Sequence, residues 1–152
     1  MRPIIFYGIL SILLLMDNNK VWGQSSKATL NHIAIYVSDL KKSSSFYRDI
    51  IGLDTIPEPF HDGKHTWFSI GFKSHLHLIE GLTEKTSKNK NTHLCFSVSS
   101  VDKFTELLKT NKIEYENWAG EKMQVTARVD GVKQIYFKDP DGYWIEINDA
   151  KE

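Results

Sequence analysis

The chain has 152 residues, about the length of one globular domain, and an ordinary composition of 41% hydrophobic and 25% charged residues. This composition excludes a disordered, collagen-like or coiled-coil protein. The 19 basic and 19 acidic residues balance, so the charge predicts no nucleic-acid-binding surface.

The N-terminus has the pattern of a secretory signal peptide. Arg2 precedes an apolar run from Ile4 to Met16, and Val21-Trp22-Gly23 forms a small-residue cleavage pattern before Gln24. The run is too short to span a bilayer comfortably, although an uncleaved anchor is the alternative. We therefore expect residues 1–23 to be a signal peptide, and the mature protein to be periplasmic or secreted with no membrane segment after cleavage.

The rest of the chain contains an internal repeat. Residues 31–37 and 92–98 both have the pattern of a β-strand that begins near a histidine, and each precedes an amphipathic helix, at about 41–51 and 101–111. Later strands repeat with a shift of 69 residues, which aligns 66–68 with 135–137 and 76–78 with 145–147. The lysine-rich stretch 83–91 between the halves is expected to be a surface connection.

These patterns predict one α+β domain over residues 29–150. Two βαβββ modules, at about 29–82 and 91–149, are expected to form a curved, largely antiparallel sheet with helices on its outer face. The concave face of that sheet is left to form a cavity.

Strand parity predicts which side chains face this cavity, because alternate residues of a strand point to opposite faces. On four strands, one face is aliphatic or aromatic, and the other carries a polar residue that can bind metal: His32, His77, His93 and Glu146. A buried, unpaired carboxylate costs several kcal/mol, which a divalent cation removes. Imidazole and carboxylate together suit Zn, Ni, Mn or Fe, so the sequence predicts one divalent metal ion held by these four residues.

Other residues near the predicted cavity are assigned structural roles. Cys95 is the only cysteine, and its apolar strand predicts a small buried side chain and not a ligand. Trp67 and Tyr136 fit a pocket wall and core packing equally well. The remaining histidines are expected at the surface or the cavity rim: His61, His65 and His75.

Two segments resemble the vicinal oxygen chelate superfamily, which includes glyoxalase I, fosfomycin-resistance proteins, extradiol dioxygenases and methylmalonyl-CoA epimerase. Residues 31–40, with Phe46-Tyr47 and Ile51-Gly52-Leu53, are similar to its opening motif, and residues 137–147 to its closing motif. The resemblance covers about residues 30–149.

The resemblance implies a set of ligands by position. His32 matches the ligand of the first strand, His93 the ligand that opens the second half, and Glu146 the closing glutamate. The fourth position falls on His77, with Glu80 as a competing candidate that parity places on the opposite face. In members of glyoxalase type the fourth position is often glutamate or glutamine, so this chain retains one carboxylate, Glu146, as the candidate catalytic base.

Three functions are compatible with the resemblance. The first is an exported, metal-dependent lyase or isomerase of glyoxalase type, acting on a small molecule that chelates the metal through adjacent oxygens. The second is an Fe(II)-dependent dioxygenase of extradiol type, and the third a non-catalytic protein that sequesters a ligand, as bleomycin-resistance proteins do. A homodimer is also expected, because family members pair their modules within one chain or between two, and exposed strand edges need covering.

Overall fold

The computed structural model describes residues 27–84 and 87–151, and the predicted signal peptide lies outside them. The first module contains β1 (His32–Val37), α1 (Leu40–Phe46) with a π-helical continuation (Tyr47–Ile51), β2 (Thr55–Ile56), β3 (His65–Ser69) and β4 (His75–Glu80). The second contains β5 (His93–Ser97), α2 (Val101–Thr110), β6 (Thr126–Ala127), β7 (Lys133–Lys138) and β8 (Trp144–Asn148).

The fold class is confirmed: each module is a βαβββ unit with its own four-stranded sheet. The strand orders are β1-β4-β3-β2 and β5-β8-β7-β6. In each sheet the first pairing, β1 with β4 or β5 with β8, is parallel, and the other two are antiparallel. A parallel pair needs a crossover connection, and the segment with α1 or α2 begins that connection. In the described residues the strands thus form two mixed sheets and not one continuous sheet.

Both helices begin within one residue of the predicted start, and the first reaches its predicted end through the π-helical continuation. The Asp39 side chain accepts a hydrogen bond from the Lys42 backbone N–H at 2.9 Å, and Ser100 accepts one from the Lys103 N–H at 3.3 Å. These caps satisfy N–H groups that lack partners in the first turn of a helix. Gly52 ends the π-helical turn with φ of 85°, a left-handed conformation that glycine adopts at little cost.

The strand registers confirm the internal repeat. His77 lies opposite Ala34 and Trp67 on its two neighbouring strands. Glu146 lies opposite Cys95 and Tyr136 in the same way. His77 and Glu146 therefore occupy equivalent positions at the centre of the two sheets.

The hydrophobic core confirms the predicted parity. The aliphatic faces of both sheets are buried and belong to one cluster, to which both helices contribute: Ile35, Val37, Phe46, Leu76, Leu78, Val101, Phe104, Leu108, Ile145 and Ile147. Because both sheets turn these faces to a common core, their histidine-bearing and glutamate-bearing faces point away from it.

Two buried carboxylates join the modules at the turn between β7 and β8. Asp141 is 1% exposed and accepts hydrogen bonds from Ser38 Oγ at 2.6 Å and Ser43 Oγ at 2.8 Å, both in the first module. Asp139 accepts one from the Tyr47 hydroxyl at 2.9 Å. This turn therefore links the second module to the first through side-chain hydrogen bonds.

Among residues 27–84 and 87–151, no helix combines the length and the apolar character needed to cross a membrane.

Candidate metal and substrate site

The first module presents two of the predicted ligands as a stack of rings. The His77 side chain lies between Trp67, with ring centroids 3.9 Å apart and planes 1° from parallel, and His32, at 4.3 Å and 8°. Burial, followed by the neighbouring histidines His32, His75 and His65, lowers the pKa of His77 below its ordinary value. The ring is therefore neutral at physiological pH, the state in which imidazole binds metal.

The nitrogens of these histidines agree with a role as ligands. His32 Nδ1 lies 2.8 Å from Asn31 Oδ1, which leaves its Nε2 for another partner. His77 Nε2 is buried and has no hydrogen-bond partner among the described residues, a state that normally costs free energy. An imidazole binds an ion in the plane of its ring, and two parallel planes share no point. His32 and His77 can therefore bind the same ion only after one ring has rotated.

A cavity of about 540 Å3 opens beside this stack. Of the described residues that line it, none is a lysine, arginine, aspartate or glutamate, and most carry rings: Asn31, His32, Ala34, Phe60, His65, Trp67, His75, His77 and Ile79. His65 and His75 are cavity-lining, as a rim position predicts, whereas the His61 side chain is 81% exposed. The cavity has the size and apolar character of a small-molecule site.

The second module holds the other two predicted ligands in direct contact. His93 Nε2 lies 3.2 Å from Glu146 Oε2, and His93 Nδ1 lies 2.8 Å from the Lys90 backbone carbonyl. A carbonyl oxygen only accepts hydrogen bonds, so Nδ1 carries a proton. Nε2 faces the carboxylate, and this contact is stable only with a proton or a cation between the two atoms. A metal ion fits this donor set, and the carbonyl on Nδ1 is the outer partner that metal-bound histidines commonly have.

Glu146 is held by three further side chains. Tyr136 donates to Oε2 at 2.5 Å, Asn148 Nδ2 donates to Oε1 at 2.9 Å, and Cys95 Sγ lies 3.4 Å from Oε1. Burial raises the pKa of Glu146, but these hydrogen bonds together lower it more, so it lies below its ordinary value. The group is a carboxylate at neutral pH, as a metal ligand must be.

The predicted burial of Cys95 was wrong. The residue is exposed, because it lies on the polar face of β5 opposite Glu146 and away from the core. Its thiol is only partly buried against Glu146. This partial burial, followed by the charge of Glu146, raises the Cys95 pKa to about 12, so it is a neutral thiol.

One chain brings the four predicted ligands together as two pairs, His32 with His77 and His93 with Glu146. Within the described ranges, no three or more His, Cys, Asp or Glu side chains are arranged to hold a metal ion. Glu80, the competing candidate, accepts a hydrogen bond from the Leu40 N–H at 3.2 Å and so faces α1, as parity predicts. The ligand roles themselves stay predictions.

Three residues of the site were missed or left undecided by the sequence. Tyr136 is the equivalent of Trp67 by the 69-residue shift, and both lie beside the predicted ligand on the neighbouring strand. Asn148 follows Glu146 by two residues and so shares its face. The repeat could have predicted Tyr136, and strand parity could have predicted Asn148. Nothing in the sequence pointed to the Lys90 carbonyl, because its position depends on a loop.

Comparisons with known proteins agree with the fold. The model of the glyoxalase/bleomycin resistance protein/dioxygenase superfamily matches residues 29–147. A metallothiol transferase FosB from Shouchella clausii is 33% identical, with 78% of each chain covered. The mitochondrial methylmalonyl-CoA epimerase of mouse is 27% identical over 88% of this chain and 78% of its own.

A solved structure, oxidase ChaP-H2, superimposes with a TM-score of 0.68 at 24% identity, over 82% of this chain and 94% of its own. It shares the fold. The match of the family model over nearly all described residues shows that the chain belongs to the glyoxalase/bleomycin resistance protein/dioxygenase superfamily.

Proposed function

We propose that this protein is a metal-dependent lyase or isomerase of glyoxalase type. Its ion would be held by His93 and Glu146 of one chain together with His32 and His77 of the partner subunit. The observation that carries the proposal is the 3.2 Å contact between His93 Nε2 and Glu146 Oε2, which is stable only with a proton or a cation between the two atoms. Relatives named as an epimerase and a metallothiol transferase support both an enzymatic role and a metal.

A homodimer would complete the site. The two pairs of ligands lie on faces that point away from a common core, so a second copy is the simplest source of the missing pair. In a two-fold dimer the first module of each chain would face the second module of the other, which would give two equivalent sites. Pairing would also cover the polar and aromatic faces that one chain leaves open.

A divalent ion bound there would act as a Lewis acid on adjacent oxygens of the substrate. Glu146 is the candidate base: it is ionised at neutral pH, and its Oε1 stays hydrogen-bonded to Asn148. The hydrogen bond from Tyr136 to Oε2 weakens Glu146 as a base and keeps it ionised, as a ligand must be. Proton transfer by Glu146 would therefore go with lengthening of the bond to Tyr136.

The cavity of the first module would take the body of the substrate. Its lining of rings, with no lysine, arginine, aspartate or glutamate among the described residues, favours a planar group.

An Fe(II)-dependent dioxygenase is the second candidate, and the stacked rings favour it. If His77 stays parallel to His32, only one of these two rings can bind the ion. The ligands are then two histidines and one carboxylate. That set, with open positions, is typical of non-haem iron oxygenases.

Metal analysis of untagged protein tests the proposal. We expect about one divalent ion per chain, and loss of most of it in His93→Ala. Bound zinc, nickel or manganese would support the lyase or isomerase, whereas iron together with oxygen uptake in the presence of a catechol would support the oxygenase. Protein that binds none of these ions after dialysis against each would contradict both.

We also propose that the protein is exported. The pattern around Arg2 and Val21-Trp22-Gly23 predicts a mature N-terminus near Gln24. Mass spectrometry of protein from the envelope and culture medium should show that terminus. An intact Met1 in those fractions would contradict cleavage.

A further inference from the structure

The loop between the modules does more than connect them, because it contacts His93 directly. The carbonyl of Lys90 accepts the hydrogen bond from His93 Nδ1 at 2.8 Å. This bond places a proton on Nδ1 and sets the direction in which the other nitrogen faces. The position of one backbone carbonyl therefore controls the orientation of Nε2 toward Glu146.

The side chain of the same residue anchors this carbonyl. Lys90 Nζ forms an ion pair with Glu116 and donates to the backbone carbonyls of Asn117 at 3.3 Å and Trp118 at 3.2 Å. These three acceptors match the three donors of an ammonium group. The Lys90 side chain is 19% exposed, so the ion pair is shielded from water more than a surface pair would be.

Aromatic rings enclose the ammonium group. Nζ lies 5.2 Å from the centroid of Trp144, 5.5 Å from Tyr136 and 6.0 Å from Trp118. Rings at these distances attract a cation through their faces. A second bond holds the loop nearby, since Trp144 Nε1 donates to the Lys88 carbonyl at 2.9 Å.

We propose that Lys90 is a positioning residue, whose anchored side chain holds its own carbonyl where it accepts the Nδ1–H of His93 and so sets the direction of Nε2. The ammonium group does not reach for a substrate anion, because its donors are already used by Glu116 and the two carbonyls. Lys90 thereby orients His93 Nε2 toward Glu146 before any ion binds. The orientation of the ring follows from the geometry alone, and only the consequence for metal affinity rests on the proposed function.

Nitrogen-15 NMR of the histidine rings tests this in EDTA-treated protein. The Nδ1–H of wild-type His93 should exchange slowly with water, because the Lys90 carbonyl accepts its hydrogen bond. Lys90→Met keeps the length of the side chain but removes the charge, so the carbonyl loses its anchor and this Nδ1–H should exchange markedly faster. Lys90→Arg should restore the slow exchange, and Lys122→Met, which breaks the exposed pair with Glu114, should leave it unchanged. Glu116→Gln should act in the same direction as Lys90→Met.

Zinc titration separates this proposal from the proposed function. Loss of an outer partner of a metal-bound histidine typically weakens affinity about 10–100-fold, and we expect this in Lys90→Met and not in Lys122→Met. A folded Lys90→Met protein whose His93 Nδ1–H exchanges as slowly as in the wild type would overturn the positioning role, whatever its zinc affinity. Faster exchange in Lys90→Met, in a protein whose wild type binds no metal, would support the positioning role and contradict the metal site.

Discussion

At the scale of single residues, Glu146 is defined by the groups around it. Burial raises the pKa of a glutamate, yet the hydrogen bonds from Tyr136, Asn148 and Cys95 together lower the pKa of Glu146 below its ordinary value. The pKa of Tyr136 is raised by burial and, as a smaller cause, by its hydrogen bond to Glu146. The pair therefore favours a neutral tyrosine and an ionised glutamate.

Tyr136→Phe should lower the stability of metal-free protein in a pH-dependent way. The pKa of Glu146 in the folded state lies below its ordinary value of 4.5, so its contribution is present above that pH and is lost as the pH falls through the lower pKa. Removing the hydroxyl raises this pKa and reduces the contribution. Urea unfolding should show a cost of about 1–3 kcal/mol at neutral pH and a smaller cost in acid.

Tyr143→Phe is the matched control. Its hydroxyl donates to the neutral backbone carbonyl of Tyr36 at 3.2 Å, so its cost should not depend on the ionisation of Glu146. An equal cost of Tyr136→Phe at neutral and acidic pH would contradict the role given to this hydrogen bond.

At the scale of elements, the register of β4 decides which side chains enter the site. His77 lies on the polar face and Glu80 on the helix side, so His77→Ala should weaken metal binding and Glu80→Ala should not. We expect His77→Ala to weaken zinc affinity at least about tenfold, because loss of even an outer hydrogen-bond partner of a ligand weakens metal affinity by that factor. Calorimetric titration with zinc measures the affinity of both variants. Glu80→Ala should lower only the stability, because it removes the acceptor of the Leu40 N–H.

The result also separates the two candidate functions. Unchanged affinity in His77→Ala would show that His77 forms a wall of the cavity and that the ion has two histidines and one carboxylate. Weakened affinity in Glu80→Ala would mean that the register of β4 changes on metal binding.

The turn between β7 and β8 should carry much of the stability of the contact between modules. Asp141→Ala leaves Ser38 and Ser43 without their buried acceptor and should cost about 2–4 kcal/mol in the free energy of unfolding. Asp130→Ala, which removes the exposed partner of Arg128, should change it little. Urea denaturation compares the two, and similar midpoints would contradict the link.

Much of the fold and part of the site could be predicted because they depend on local periodicity. Parity correctly separated Leu76 and Leu78 from His77, and the repeat correctly made His77 the equivalent of Glu146. The arrangement of the modules could not be predicted in this way, since an aliphatic face packs equally well on its own helix or on a shared core. Cys95 was misjudged for a related reason: an apolar strand context does not show which face is covered.

At the scale of the whole molecule, the two separated pairs of ligands are the feature that most needs an explanation. Each pair lies on a sheet face that points away from the core, and each contains groups whose bonding is incomplete. A dimer in which the first module of one chain meets the second module of the other would explain both pairs at once. Each chain would then depend on its partner for half of both sites.

Mixing two inactive variants tests this dependence most directly. His32→Ala damages the first module and His93→Ala the second, so each variant alone should bind little zinc. After the two are unfolded together and refolded, a heterodimer would contain one site built from intact modules of different chains. Random pairing should restore about a quarter of the wild-type sites, whereas no recovery above the separate variants would contradict a site shared between two chains.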